Sequence, residues 1–146
     1  MKQGIERDPR NGLALIEFSL ITPLLLLALA GVLNYSVALR TASCLTDAAR
    51  IGAWYGSQSL TNASNAAAMQ AAALAAAPGI AGMTAAATQS CKCANGSAVP
   101  CTGGCSSGNM LVYVQVTTQA TSPTLFNYSG LSFSGLISAQ VSARAQ

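Results

Sequence analysis

Between Glu17 and Arg40 lie 22 consecutive residues without a charge, FSLITPLLLLALAGVLNYSVAL. A helix needs about 20 apolar residues to cross a hydrocarbon core, so this stretch predicts a single membrane span. Pro23 inside it is tolerable, because membrane helices find other partners for the carbonyl that a proline frees. The helical period then continues through NYSVALRTASCLTDAARIGAWYGS. Val37, Cys44, Ala48, Ile51 and Tyr55 recur on one face, which is expected to be core. Arg40, Asp47 and Arg50 fall nearer the opposite side, and Asp47 and Arg50, three apart, are spaced for a weak surface pair. Gly56 and Ser57 look like the helix end. One helix of about 45 residues results, half in lipid and half lying on a soluble domain.

Residues 60–79, LTNASNAAAMQAAALAAAPG, read as a second helix. Serine or asparagine supplies its N-cap, alanine its propensity, and Pro78-Gly79 its stop. The competing description is a low-complexity linker. The last third changes period. Met110, Val112, Val114 and Val116 alternate with Leu111, Tyr113, Gln115 and Thr117, and Ile137, Ala139, Val141 and Ala143 alternate with Ser138, Gln140, Ser142 and Arg144. Both segments predict strands with one buried face. The loop between them, SPTLFNYSGLSFSG, carries Leu125, Phe126, Tyr128, Leu131 and Phe133, which are expected to tuck onto the core. The fold class is therefore α+β, a long N-terminal helix against a small antiparallel sheet.

Charge changes this picture mainly at the N-terminus. Only 8% of the 146 residues are charged, and six of them, Lys2, Glu6, Arg7, Asp8, Arg10 and Glu17, fall within the first 17 positions. The basic residues ahead of the span predict a cytoplasmic N-terminus and an extracytoplasmic remainder. Histidine is absent, which removes the commonest general base and metal ligand. Glu17 and Asp47 would stand about 45 Å apart along a helix, too far to cooperate. A Ser–Lys dyad through Lys92 is the one catalytic pattern left, and no motif surrounds it. No enzymatic site, cofactor, metal or small-molecule substrate is indicated. No basic patch with interleaved aromatics points to nucleic acid.

Four cysteines, Cys91, Cys93, Cys101 and Cys105, crowd into CKCANGSAVPCTGGC. Outside a membrane such a cluster favours two disulfides. Cys91 and Cys93 are expected to point apart in an extended segment, so that each pairs with Cys101 or Cys105, in either combination. A four-thiolate zinc site is the rival, although C-x-C and C-x₃-C depart from the usual C-x₂-C spacing. Cys44, on the predicted core stripe, reads as a small buried hydrophobe, with an intersubunit disulfide as its other use.

Two cleavage sites compete at the N-terminus. Ala28-Leu29-Ala30 before Gly31 fits a signal peptidase site, yet the chain stays apolar afterwards. Alternatively, Gly12-Leu13-Ala14-Leu15-Ile16-Glu17-Phe18 follows a short polar leader, MKQGIERDPRNG. This order, glycine, four apolar residues, glutamate and an aromatic, resembles the signal of type IV pilin-like proteins, which prepilin peptidase cuts after the glycine. On that resemblance Gly12 is the cleavage residue, Leu13 the new N-terminus, and Glu17, followed by Phe18, the partner of the amine on an adjacent subunit. Read without the motif, Glu17 is an ordinary interfacial charge at a span end.

Over nearly its whole length the chain resembles the TadE-like minor pilins, or pseudopilins, of tight-adherence pilus systems. The resemblance is carried by GLALIEFSLITPLLLL at 12–27, LTDAARIGA at 45–53, the C-x-C cluster, the valine-rich strand after it, and the closing PTLFNYSGLSFSGLISAQVSARA. It implies a leader at 1–12, the membrane part of the helix at 13–39 and an extracytoplasmic domain at 40–146. It further implies a single-pass protein of the bacterial inner membrane that takes part in pilus assembly and surface attachment. Prepilin peptidase, other pilins and the assembly platform would be its partners. Two other classes stay open: a membrane-anchored binding module, and a secreted product cut after Ala30.

Overall fold

The computed structural model describes residues 10–106, 108–125 and 135–145, with side chains from residue 15 onward. Helix α1 runs Arg10–Ser57, 48 residues without a break at Pro23. It ends where the sequence predicted. The expected second helix is divided into α2, Leu60–Ser64, and α3, Ala66–Ala76. Asn65 makes the division. Its backbone leaves the helical region at φ −98° and ψ 79°, while its side chain accepts from the Ala68 N–H at 3.0 Å and so caps α3. Ser59 caps α2 in the same way, accepting from the Asn62 N–H, so each helix has one of its orphan donors satisfied. Ala77 ends α3 outside helical geometry, as the residue before a proline prefers.

Four antiparallel strands follow: β1 at Thr84–Cys93, β2 at Ala98–Val99, β3 at Met110–Thr121 and β4 at Leu136–Arg144, in the sheet order β2-β1-β3-β4. The two predicted strands, β3 and β4, pair directly, from Tyr113 opposite Arg144 to Thr121 opposite Leu136. The sequence did not announce β1. Its residues TAAATQSCKC alternate only between small and polar side chains, which makes a weak period-2 signal. Ten paired positions with β3, Thr84 opposite Gln119 through Cys93 opposite Met110, hold it in place.

All three helices pack on one face of the sheet, and the core between the layers is made of small residues from α1. Ala49 and Ala53 of α1 meet Met69 and Ala73 of α3 and Val112, Val114 and Val116 of β3 in one buried cluster, and Leu45 and Ala48 of α1 are buried as well. The buried face of α1 is therefore rotated from the predicted stripe. Ile51, assigned to the core by its apolarity, is 45% exposed, while Gly52 and Gly56 are buried beside Ala53. Close approach decides this. A Cβ on Gly52 would lie 2.9 Å from the Met69 carbonyl oxygen and 3.2 Å from Val116 Cγ1, and one on Gly56 would run into Met69 Sδ. A bulky side chain on that face would wedge the layers apart. Met110 also departs from expectation, being exposed at the end of its strand.

The layers are pinned by one buried polar contact. Thr118, with no exposed surface, donates its hydroxyl to the Leu45 carbonyl oxygen at 2.9 Å. Gly52→Ala should lower unfolding stability by about 1–3 kcal/mol, the usual penalty of overpacking a tight core. Denaturant titration of the detergent-solubilised protein would measure it, with Gly31→Ala, where an added Cβ meets nothing within 4 Å, changing stability by less than about 0.5 kcal/mol.

Candidate functional site: the two halves of the long helix

Helix α1 changes surroundings partway along its length. From Leu15 to Leu29 the side chains are exposed all round the helix, with only Thr22 half-buried. Leu15, Ile16, Phe18, Leu20, Leu24, Leu25, Leu26, Leu27 and Leu29 each leave more than half their surface uncovered. Apolar side chains on every face fit lipid rather than water. The helix is long and apolar enough to cross a membrane. Its few hydroxyls are satisfied internally: Ser19 donates to the Ile16 carbonyl at 2.8 Å and Thr22 to the Phe18 carbonyl at 2.7 Å, which removes the cost of bare polar groups in hydrocarbon.

From Ala30 onward burial turns periodic: Ala30, Asn34, Thr41, Leu45, Ala48 and Ala49 are covered by the domain. Asn34 is the hinge of this change. Its side-chain oxygen accepts the Leu125 N–H at 3.0 Å, tying the segment after β3 to the helix 91 residues earlier. The Leu125 side chain itself is 57% exposed rather than tucked onto the core as expected; its backbone, not its side chain, makes the contact with the helix. Phe126, Tyr128, Leu131 and Phe133 lie outside the described residues.

Glu17 is exposed, as is Phe18 beside it. Leu13 and Glu17 are one helical turn apart on the same side of α1. Gly12 and Leu13 fall inside the helix, with their side-chain surroundings outside the described residues. Asp47 and Arg50 form the expected surface pair at 3.4 Å, both well exposed, a contact worth less than about 1 kcal/mol. Cys44 is a half-buried free thiol lining an open groove of about 560 Å³ with Val37, Arg40, Thr41, Ala77 and Ile80.

The cysteine cluster resolves into two bridges, Cys91–Cys101 and Cys93–Cys105, with Cα separations of 5.2 and 5.7 Å. All four sulfurs are thereby consumed, and a zinc thiolate site is excluded. The orientation of the first two cysteines differs from the expectation. Cys91 and Cys93 do not point apart, since residues two apart on a strand share a face, and both are buried on the helix side of β1. They avoid each other because two strand residues span about 6.8 Å, near the limit for a disulfide. The bridges hold the loop from 94 to 105, with β2, against the sheet. Lys92, the one lysine available to a Ser–Lys dyad, instead sets its ammonium 5.9 Å from the centre of the Tyr113 ring.

Residues 12–54 match the family model described as TadE-like protein. The match begins at Gly12 and runs nearly to the end of α1, so it covers both halves of the helix and none of the sheet. The likeness therefore rests on the long helix alone, and strands β1 to β4 lie outside it. No curated protein and no solved structure matches the chain.

Replacing Asn34 with leucine leaves the Leu125 N–H without its acceptor. The expected cost is about 1–3 kcal/mol, read as a lower unfolding midpoint in detergent. Faster proteolysis confined to the chain between β3 and β4 would locate the loss at this contact.

Proposed function

We propose that the protein is a minor pilin or pseudopilin of a tight-adherence pilus, cleaved by prepilin peptidase after Gly12 and built into an assembly through its helix. The observation that carries this reading is the start of α1: Gly12, an apolar run and Glu17-Phe18 lie at the head of a lipid-compatible helix, inside the TadE-like match. Residues 1–12 are then the leader and 13–39 the part of the helix placed in the inner membrane. Residues 40–146 form the extracytoplasmic domain. Within that part Ala30 and Asn34 are buried, and Asn34 accepts the Leu125 N–H instead of facing lipid.

Glu17 follows from the same geometry. A carboxylate well inside a bilayer costs about 2.5–3.5 kcal/mol on insertion scales, and an opposite charge lowers that cost. Cleavage after Gly12 creates a positive amine at Leu13. The exposed Glu17 of one subunit is free to face that amine on its neighbour, so pairing both neutralises the acid and sets the axial stagger of adjacent helices. The partners are other pilins and the assembly platform, and the role is structural rather than catalytic.

Cutting after Ala30 fits the geometry less well. It would sever α1 four residues before Asn34 and discard the apolar half that the TadE-like match includes.

Mass spectrometry of the mature protein should find Leu13 at its N-terminus. Gly31 there would eliminate the pilin reading, and an intact Met1 would reduce the helix to a plain anchor. Glu17→Gln should be processed normally yet recover less of the other pilins in pull-downs from detergent-solubilised membranes. Undiminished recovery would return Glu17 to the role of an interfacial charge.

A further inference from the structure

The sheet has one face under the helices and one face open, and most of the open face is polar. Three cross-strand rows follow from the register: Thr88, Gln115 and Ser142; Thr117 and Gln140 beside Ala86; and Thr84, Gln119 and Ser138. The side chains of β1 and β4 in these rows are exposed, and Gln115 and Thr117 are half-exposed. Strands stand about 4.8 Å apart and same-face residues about 6.8 Å apart along each strand. Hydroxyl and amide groups, each able both to donate and to accept, therefore form a flat grid.

The fourth row is different: Ser90, Tyr113 and Arg144 lie opposite one another, with Lys92 next along β1. The Lys92 ammonium leans over the Tyr113 ring at 5.9 Å, and Arg144 is the direct cross-strand neighbour of the same tyrosine. Lys92 and Arg144 are the only charged side chains after Arg50, and no aspartate or glutamate follows Asp47. Both cations of the distal chain thus stand on the open face, flanking one aromatic residue, with no acid on the sheet to neutralise them.

We propose that this face binds an acidic polysaccharide, a chain of carboxylate-bearing sugars, outside the membrane. Lys92 and Arg144 pair with sugar carboxylates at one end of the face, while the serine, threonine and glutamine rows exchange hydrogen bonds with ring hydroxyls. Tyr113 positions the lysine through its ring. Charge complementarity selects an anionic partner, and the polar rows select one rich in hydroxyls. Nucleic acid fits worse: two cations release too few counterions for appreciable affinity, and the one aromatic ring among the described residues of this face is already engaged by Lys92. A protein partner would find only Leu136 as an exposed large apolar side chain on the described part of this face, at the end away from the cations, since Leu111 and Tyr113 are half-buried. The proposal stands whether or not the helix enters a filament, since it concerns the opposite side of the domain.

The test uses the full-length protein in phosphatidylcholine nanodiscs, passed over immobilised polygalacturonate, its full methyl ester, and single-stranded DNA. Retention on polygalacturonate and loss on the uncharged ester are expected. The Lys92→Gln/Arg144→Gln double variant should bind at least about tenfold more weakly, the loss of one charge-assisted contact, and Lys92→Arg/Arg144→Lys should restore binding. Lys92 and Arg144 are both exposed, and peptide mapping of the two disulfides checks that each variant has folded. Equal retention on the ester, unchanged binding by the double glutamine variant, or tighter binding to DNA would each overturn the proposal.

Discussion

Everything beyond the fully exposed apolar half of α1 depends on how closely the sheet and α3 can approach that helix. The approach is possible because α1 presents Ala48, Ala49, Gly52, Ala53 and Gly56 on one face, so that backbone and short side chains form the floor of the core. Met69 fills the gap from α3, and Val114 and Val116 fill it from β3, all fully buried. Dispersion falls off steeply with distance, so a gap of even an ångström would forfeit much of this contact. A chain with only three phenylalanines and one tryptophan, and with that tryptophan, Trp54, 66% exposed, builds its core from proximity rather than from side-chain bulk.

The same helix must satisfy two solvents. Up to Leu29 it offers apolar side chains on all sides and keeps its hydroxyls on its own backbone, which suits hydrocarbon. Beyond Asn34 it offers one small-residue face to protein and its charges, Arg40, Asp47 and Arg50, to water. The handover lies between Ala30 and Asn34, where the segment after β3 grips the helix. A single continuous helix thus joins the apolar segment to the domain packed on its second half.

The α+β domain uses covalent restraint where charge is scarce. Two bridges close loops ten and twelve residues in sequence separation, each worth about 3 kcal/mol by restricting the unfolded chain. They lie at the end of the sheet where β2 contributes only two residues. The open face is left free of structural duties, and so can carry polar rows and two unopposed cations.

Much of this was legible in residue order. The long helix, its end at Gly56 and Ser57, the surface pair of Asp47 and Arg50, the alternation of β3 and β4, and the commitment of all four clustered cysteines to disulfides each follow from local spacing, because period and charge are properties of neighbouring residues. Four features were not. Strand β1 is too alanine-rich to alternate visibly and exists because β3 offers it ten partners. Asn65 divides a helix that composition left continuous. Ile51 yields the core to glycines because the sheet demands closeness, which hydrophobicity does not encode. Asn34 reads as a chance polar residue in a span until Leu125, 91 positions away, supplies the donor. Local propensity and pattern thus determined the long helix and strands β3 and β4, while β1 depends on its pairing with β3. Which of their faces meet was decided by long-range fit, where distance between layers outweighs the apolarity of any one side chain.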